Sequence, residues 1–308
     1  MAVEVTANRQ GYLQNTSEYI ARTERGDFLV QVAWPLCWSE ERVRPEDDTR
    51  PVSSLYLVDG NAFFFTAVDI TRRLEFTHNS RNVVVAVGYP KSKCIYDWRR
   101  GPDLTPPTPD GQYTMPLGQD GKSRTDLSFG DGDKFLDFVQ NHVMAHVQDN
   151  LFPRVPLRSG RKALFGHSYG GIFSLHTLFT RTELFDFYIA ASPTIWWSDN
   201  ALVKNQEAEL HRRKDPVDPA PSLFLTWGDC NDELEKRQDE SEESFQKRKA
   251  IAEGKEMRES VASLVNRLQE CPSVKDIWTC HFPDEDHCSA AVVGLQRGMM
   301  KFLVDMNQ

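Results

Sequence analysis

Four short runs in the first ninety residues, 18–23, 28–34, 54–58 and 82–87, are rich in β-branched and aromatic residues and bounded by Gly, Asp, Asn or Pro, so each predicts a strand. The last two carry the runs LYLV and VVVAV, with no alternation of apolar and polar positions. Unbroken apolar runs of that length suit central parallel strands covered by helices on both faces. A crossover helix is expected over 62–74. A Pro- and Gly-rich irregular segment follows from about 89 to 131, and loops of that length are commonly functional.

Helical spacing returns at Phe135, Phe138, Val139, Val143 and Val147, predicting a helix over 134–148. Residues 162–165 read as a short strand, 166–170 as a tight turn and 171–179 as an apolar helix. Further strands are expected at 188–191, 223–227 and 277–282, with a C-terminal helix from about 290. The stretch from 229 to 270 is dominated by Glu, Lys, Arg and Gln, with Val261, Leu264, Val265 and Leu268 marking an amphipathic helix at its end. No repeat or linker divides the chain, so 1–308 is expected to form one α/β domain with a central, mostly parallel sheet.

Charge narrows the function classes. A formal net charge of -9 offers no basic field for nucleic acid or anionic lipid. No stretch approaches the roughly 18 apolar residues of a spanning helix, and MAVEVTANRQ lacks the features of a secretory signal, so a cytoplasmic protein is expected. The six cysteines form no C-x-x-C pair and read as free thiols; no metal or cofactor is implied, and oligomeric state is left open.

The chemistry centres on Gly166-His167-Ser168-Tyr169-Gly170. A hydroxyl is a poor nucleophile unless it is exposed, paired with a base and set beside oxyanion donors. G-x-S-x-G between a strand and an apolar helix meets the first requirement, because its glycines permit the sharp turn that lifts Ser168 above the sheet in an α/β-hydrolase fold. His167 is read as structural. The base is expected after the last strand, in the chain order Ser, acid, His, which selects His287 in Pro283-Asp284-Glu285-Asp286-His287. The acid is expected after the strand at 223–227, in Gly228-Asp229-Cys230-Asn231-Asp232-Glu233. Asp232 is favoured, with Asp229 and Glu233 as alternatives and solvation of all three as the rival. The Tyr169 N–H and, from the turn Asp59-Gly60-Asn61, the Asn61 N–H are the oxyanion-hole candidates, with Asp59 tying the turn down.

With those residues assembled, the chain resembles the Putative esterase family that contains the ferric-siderophore esterases, and within it the fungal esterases of triacetylfusarinine C. The resemblance rests on Tyr56-Leu57-Val58-Asp59-Gly60, Gly88-Tyr89-Pro90, the Arg99-Arg100-Gly101-Pro102-Asp103-Leu104-Thr105-Pro106 segment, Phe135-Leu136-Asp137-Phe138, residues 164–171, Glu183-Leu184-Phe185-Asp186, Ala191-Ser192-Pro193 with Trp196-Trp197, and Asp286-His287. It implies hydrolysis of siderophore ester bonds, with iron carried by the substrate. It also implies that Arg100 and Trp196 contact the substrate. Against these stand an Arg100–Asp103 structural ion pair and a tryptophan pair buried in the core. Asn231 stands where relatives often carry Glu, which puts the acid in doubt. Rival functions are a general carboxylesterase or thioesterase, such as an S-formylglutathione hydrolase, and a catalytically dead siderophore-binding protein.

Overall fold

The computed structural model describes residues 13–90, 92–116, 122–228, 236, 238, 240–253 and 257–307. Its strands are β1 (Thr16–Thr23), β2 (Gly26–Ala33), β3 (Val52–Leu57), β4 (Arg81–Gly88), β5 (Lys162–His167), β6 (Phe187–Ala191), β7 (Ser222–Gly228) and β8 (Ile277–Phe282). They form one sheet in the order β1-β2-β4-β3-β5-β6-β7-β8. Pairing is antiparallel from β1 to β2 and from β2 to β4, and parallel from there to β8.

The helices are α1 (Gly60–His78), α2 (Arg100–Leu104), α3 (Gly132–Phe138), α4 (Tyr169–Thr180), α5 (Trp197–Ala201), α6 (Ala208–His211), α7 (Glu242–Glu253), α8 (Met257–Leu268) and α9 (Ser289–Leu303). Wider π-helical turns at Val139–Met144 and Val147–Leu151 extend α3.

The missing alternation in β3 and β4 has a direct cause, since both faces are buried. Val83, Val85 and Val87 of β4 join Tyr56 of β3 in a core closed by Phe135, Ile172, Phe173 and Val261. Their neighbours Val84 and Ala86, with Leu55 and Leu57, face the opposite core of Phe63, Phe64, Leu295 and Phe302. Thus α1 and α9 cover one face, and α3, α4 and α8 cover the other. Each fully buried aliphatic side chain stabilises by about 1.5–3 kcal/mol, so the sheet is the rigid frame on which loops can be positioned. Edge strand β1 exposes Glu18, Ile20 and Arg22 in alternation.

The differences from the sequence expectation are local. The irregular segment contains the short helix α2, because Pro102 sits in its first turn, where a missing N–H costs nothing. The polar stretch between β6 and β7 contains α5, a π-helical segment (Leu202–Glu207) and α6, and the charged region contains α7 as well as the expected α8. In α8 the buried residues Met257, Val261, Leu264 and Leu268 recur at helical spacing.

Candidate active site

Strand β5 runs straight into α4, and the residue between them is Ser168, at φ 58° and ψ -113°. Such a backbone is unfavourable for a residue with a Cβ, by about 1–3 kcal/mol, and persists only where its surroundings hold it. Three bonds do so. The Ser168 N–H donates to Ala191 O on β6 at 3.0 Å, and its carbonyl accepts from Ile172 N at 3.1 Å and Thr194 N at 3.5 Å. Gly166 is required on steric grounds, because a Cβ there would overlap the Gly170 carbonyl. Ser168 is left half-exposed at the carboxyl end of the sheet.

Two helix N-termini meet beside it. Tyr169 opens α4 and Asn61 is the second residue of α1, so both N–H groups lie in first turns, where the helix supplies no acceptor. Gly170 packs against Val58 and Asp59, which brings the two turns together. The Asn61 side chain is engaged elsewhere. Its Oδ1 accepts from Tyr89 N at 2.7 Å, and its Nδ2 donates to Tyr89 O at 2.9 Å. This clamp on the start of the long loop leaves no mark in the sequence pattern, because the two residues lie on different elements.

His287 sits half-buried between β8 and α9. The Asp286 carboxylate accepts from the N–H groups of Cys288 and Ser289, both at 2.7 Å, and Ser289 Oγ accepts from Asp286 N at 2.9 Å. These bonds cap α9 and hold Asp286 below the usual carboxylate range. The reciprocal pattern Asp-x-x-Ser is a legible sequence signal for this cap. The loop is anchored from the other side by His167, whose Nε2 lies 2.7 Å from His287 O, with the two rings 4.6 Å apart.

The acid candidates Asp229, Asp232 and Glu233 lie outside the described residues, but the point where their segment begins is within them. Gly228 ends β7 so close to the loop at 285–286 that a Cβ on it would overlap the Glu285 carbonyl. The chain therefore leaves β7 directly beside the loop that carries His287.

Arg100 is buried, and its guanidinium is bound by Asp59 through two 2.8 Å bonds, with a third to His167 O at 3.2 Å. The Arg100–Asp103 ion pair, the structural alternative to a substrate contact by Arg100, does not form. Asp103 pairs instead with Arg25 at 2.5 Å and accepts from Tyr89 Oη at 3.0 Å. Burial pushes its carboxyl up to about 6. Asp59 ties its turn down as expected, with Arg100 as its counterion. The tandem tryptophans divide. Trp197 is buried against Tyr113 and Phe129, at centroid distances of 5.6 and 6.0 Å, whereas Trp196 is half-exposed. From the long loop, Ile95 and Trp98 are exposed at 62 % and 54 %.

The family model described as Putative esterase matches residues 40–263. The siderophore triacetylfusarinine C esterase of Aspergillus fumigatus is 35% identical over 297 residues, covering 95% of this chain and 94% of that one. The siderophore enterobactin esterase of Emericella nidulans is 36% identical over 283 residues, covering 91% of each. Among solved structures, siderophore hydrolase EstA from Aspergillus nidulans superposes with a TM-score of 0.86 at 34% identity, covering 98% of both chains.

Proposed function

This chain belongs to the Putative esterase family, and on that premise we propose that it is a serine esterase that cleaves the ester bonds of a ferric hydroxamate siderophore such as triacetylfusarinine C, releasing iron inside the cell. The observation that carries the reading is the strained Ser168 elbow with the His287 loop docked against the residue before it. His287 takes the Ser168 proton as the hydroxyl attacks an ester carbonyl. The oxyanion is met by the N–H groups of Tyr169 and Asn61, at the positive ends of α4 and α1. Collapse expels the alcohol, protonated by His287, and leaves an acyl-enzyme. Water, deprotonated by the same histidine, then releases the acid. The carboxylate that steadies His287 comes from the segment following Gly228, with Asp232 as the first choice.

Substrate charge favours the hydroxamate. A ferric tris-hydroxamate is neutral, whereas a ferric tris-catecholate is a trianion. The chain carries a net charge of -9, and Arg100, the cation bonded to the last residue of the strand before Ser168, is already neutralised by Asp59. To the apolar and aromatic walls that a bulky neutral complex needs we assign the half-exposed Trp196 and, from the long loop, the exposed Trp98 and Ile95.

Mass spectrometry of products from ferric triacetylfusarinine C, ferric enterobactin, short acyl esters and S-formylglutathione tests this. Cleavage of the first at micromolar enzyme, abolished in Ser168→Ala, is the expected result. Turnover confined to the simple esters or the thioester would overturn the substrate assignment. Siderophore binding without turnover, with no fluorophosphonate labelling of Ser168, would overturn the enzyme assignment.

A further inference from the structure

His167 holds a position that the esterase chemistry does not itself require, since it is neither nucleophile nor base. It is 2 % exposed and makes two directed contacts through its ring. Nε2 faces the His287 carbonyl at 2.7 Å, and Nδ1 faces Tyr96 Oη at 3.3 Å. A carbonyl only accepts, so Nε2 must carry a proton. The phenol then donates to Nδ1, which fixes the neutral ring in the Nε2–H tautomer. The surroundings reinforce that state. Arg100 donates to the His167 carbonyl at 3.2 Å, and the His287 ring lies 4.6 Å away, so a second cation here is disfavoured. Burial and these neighbours lower the His167 pKa to about 3.

Resting on the reading of Ser168 and His287 as nucleophile and base, we infer that His167 is a positioning residue for His287: its Nε2–H pins the His287 backbone to the nucleophile's own strand. Adjacent in the chain, His167 and Ser168 leave β5 on a rigid backbone. A bond from one of them to the base's carbonyl therefore sets the base and the nucleophile in a common frame. The Asp286 cap fixes the same loop to α9 from the other side. Because His167 stays neutral, the imidazolium that forms on His287 during turnover meets no charge from the ring beside it. Tyr96, on the long loop, completes the chain of bonds, and its ring lies 5.0 Å from the guanidinium of Arg100.

The test uses the full chain with His167→Gln, whose amide nitrogen reaches the place of Nε2, and His167→Leu, which keeps bulk but loses the donor. For ferric triacetylfusarinine C hydrolysis, kcat should fall about 10- to 100-fold in His167→Leu, with KM within about twofold, and His167→Gln should recover most of it. Thermal unfolding establishes that each variant is folded. Wild-type kcat in folded His167→Leu, or equal losses in both folded variants, would overturn the role. ¹⁵N NMR of histidine-labelled wild-type protein is independent of any variant's folding: a neutral Nε2–H tautomer at pH 7 supports the clamp, and an Nδ1–H tautomer overturns it. Full activity in His287→Ala would instead overturn the assignment of the base, whatever the tautomer.

Discussion

Arg100 and Asp59 form a buried, two-pronged ion pair, Nε to Oδ1 and Nη2 to Oδ2 at 2.8 Å each, with side chains 11% and 1% exposed. The guanidinium lies between the rings of Tyr96 and Tyr169, 5.0 and 5.1 Å from their centroids. The pair joins α2, in the loop after β4, to the turn that carries Asn61. It thus links the long loop to the turn that bears the candidate oxyanion-hole N–H.

Asp59→Asn tests that linkage. Asn tolerates the left-handed backbone at φ 54°, so the substitution removes charge without adding strain. Leaving Arg100 buried and unpaired should cost about 3–5 kcal/mol in urea unfolding and lower kcat. Adding Arg100→Met should restore most of the stability and little of the activity. Restored activity would show that the pair serves the fold alone.

The tandem tryptophans should respond differently. Trp197→Ala empties a site packed by Tyr113 and Phe129 and should cost about 3–5 kcal/mol of stability. Trp196→Ala, on a half-exposed side chain at the edge of the core, should cost clearly less stability than Trp197→Ala and raise KM for the ferric siderophore several-fold. An unchanged KM would remove Trp196 from the substrate wall.

Two buried groups set opposing pH dependences. The His167 pKa falls from 6.5 to about 3 on folding. Between those values the unfolded chain binds the extra proton, so stability is lost as pH falls, by up to about 1.4 kcal/mol per pH unit. The Asp103 pKa rises from 3.8 to about 6, chiefly through burial. There the folded state binds the extra proton, so stability is lost as pH rises across that window. Between roughly pH 4 and 6 the two slopes offset each other. Unfolding free energy measured across that range should therefore fall more steeply toward acid in Asp103→Asn than in wild type. A shallower acid limb in the variant would contradict the assignment.

Much of the site was legible because its signals are local. Glycines flanking Ser168 between a strand and an apolar helix announce an elbow, since only a residue without a Cβ fits at Gly166. Strand order places the candidate base after β8, and His287 is there. The helix α2 was hidden by proline and glycine around it, and the partner of Arg100 by a nearer carboxylate, Asp103. Spacing along the chain suggested that neighbour, but the helix turns the two side chains to different partners.

By itself, then, the sequence determined the alternation of strands and helices, the burial of β3 and β4 on both faces, and the choice and order of Ser168 and His287 as candidates. Periodicity and turn chemistry express these within a few residues. Only the tertiary structure decided that Arg100 meets Asp59, that His167 bonds to the His287 carbonyl, and that Trp197 is buried in the core while Trp196 lies half-exposed at its edge. The first two contacts span 41 and 120 residues. A hydrogen bond is decided by tenths of an ångström and by the facing of two donor and acceptor atoms. The packing of loops and helices on the finished sheet fixes both, and no local pattern of residue types encodes them.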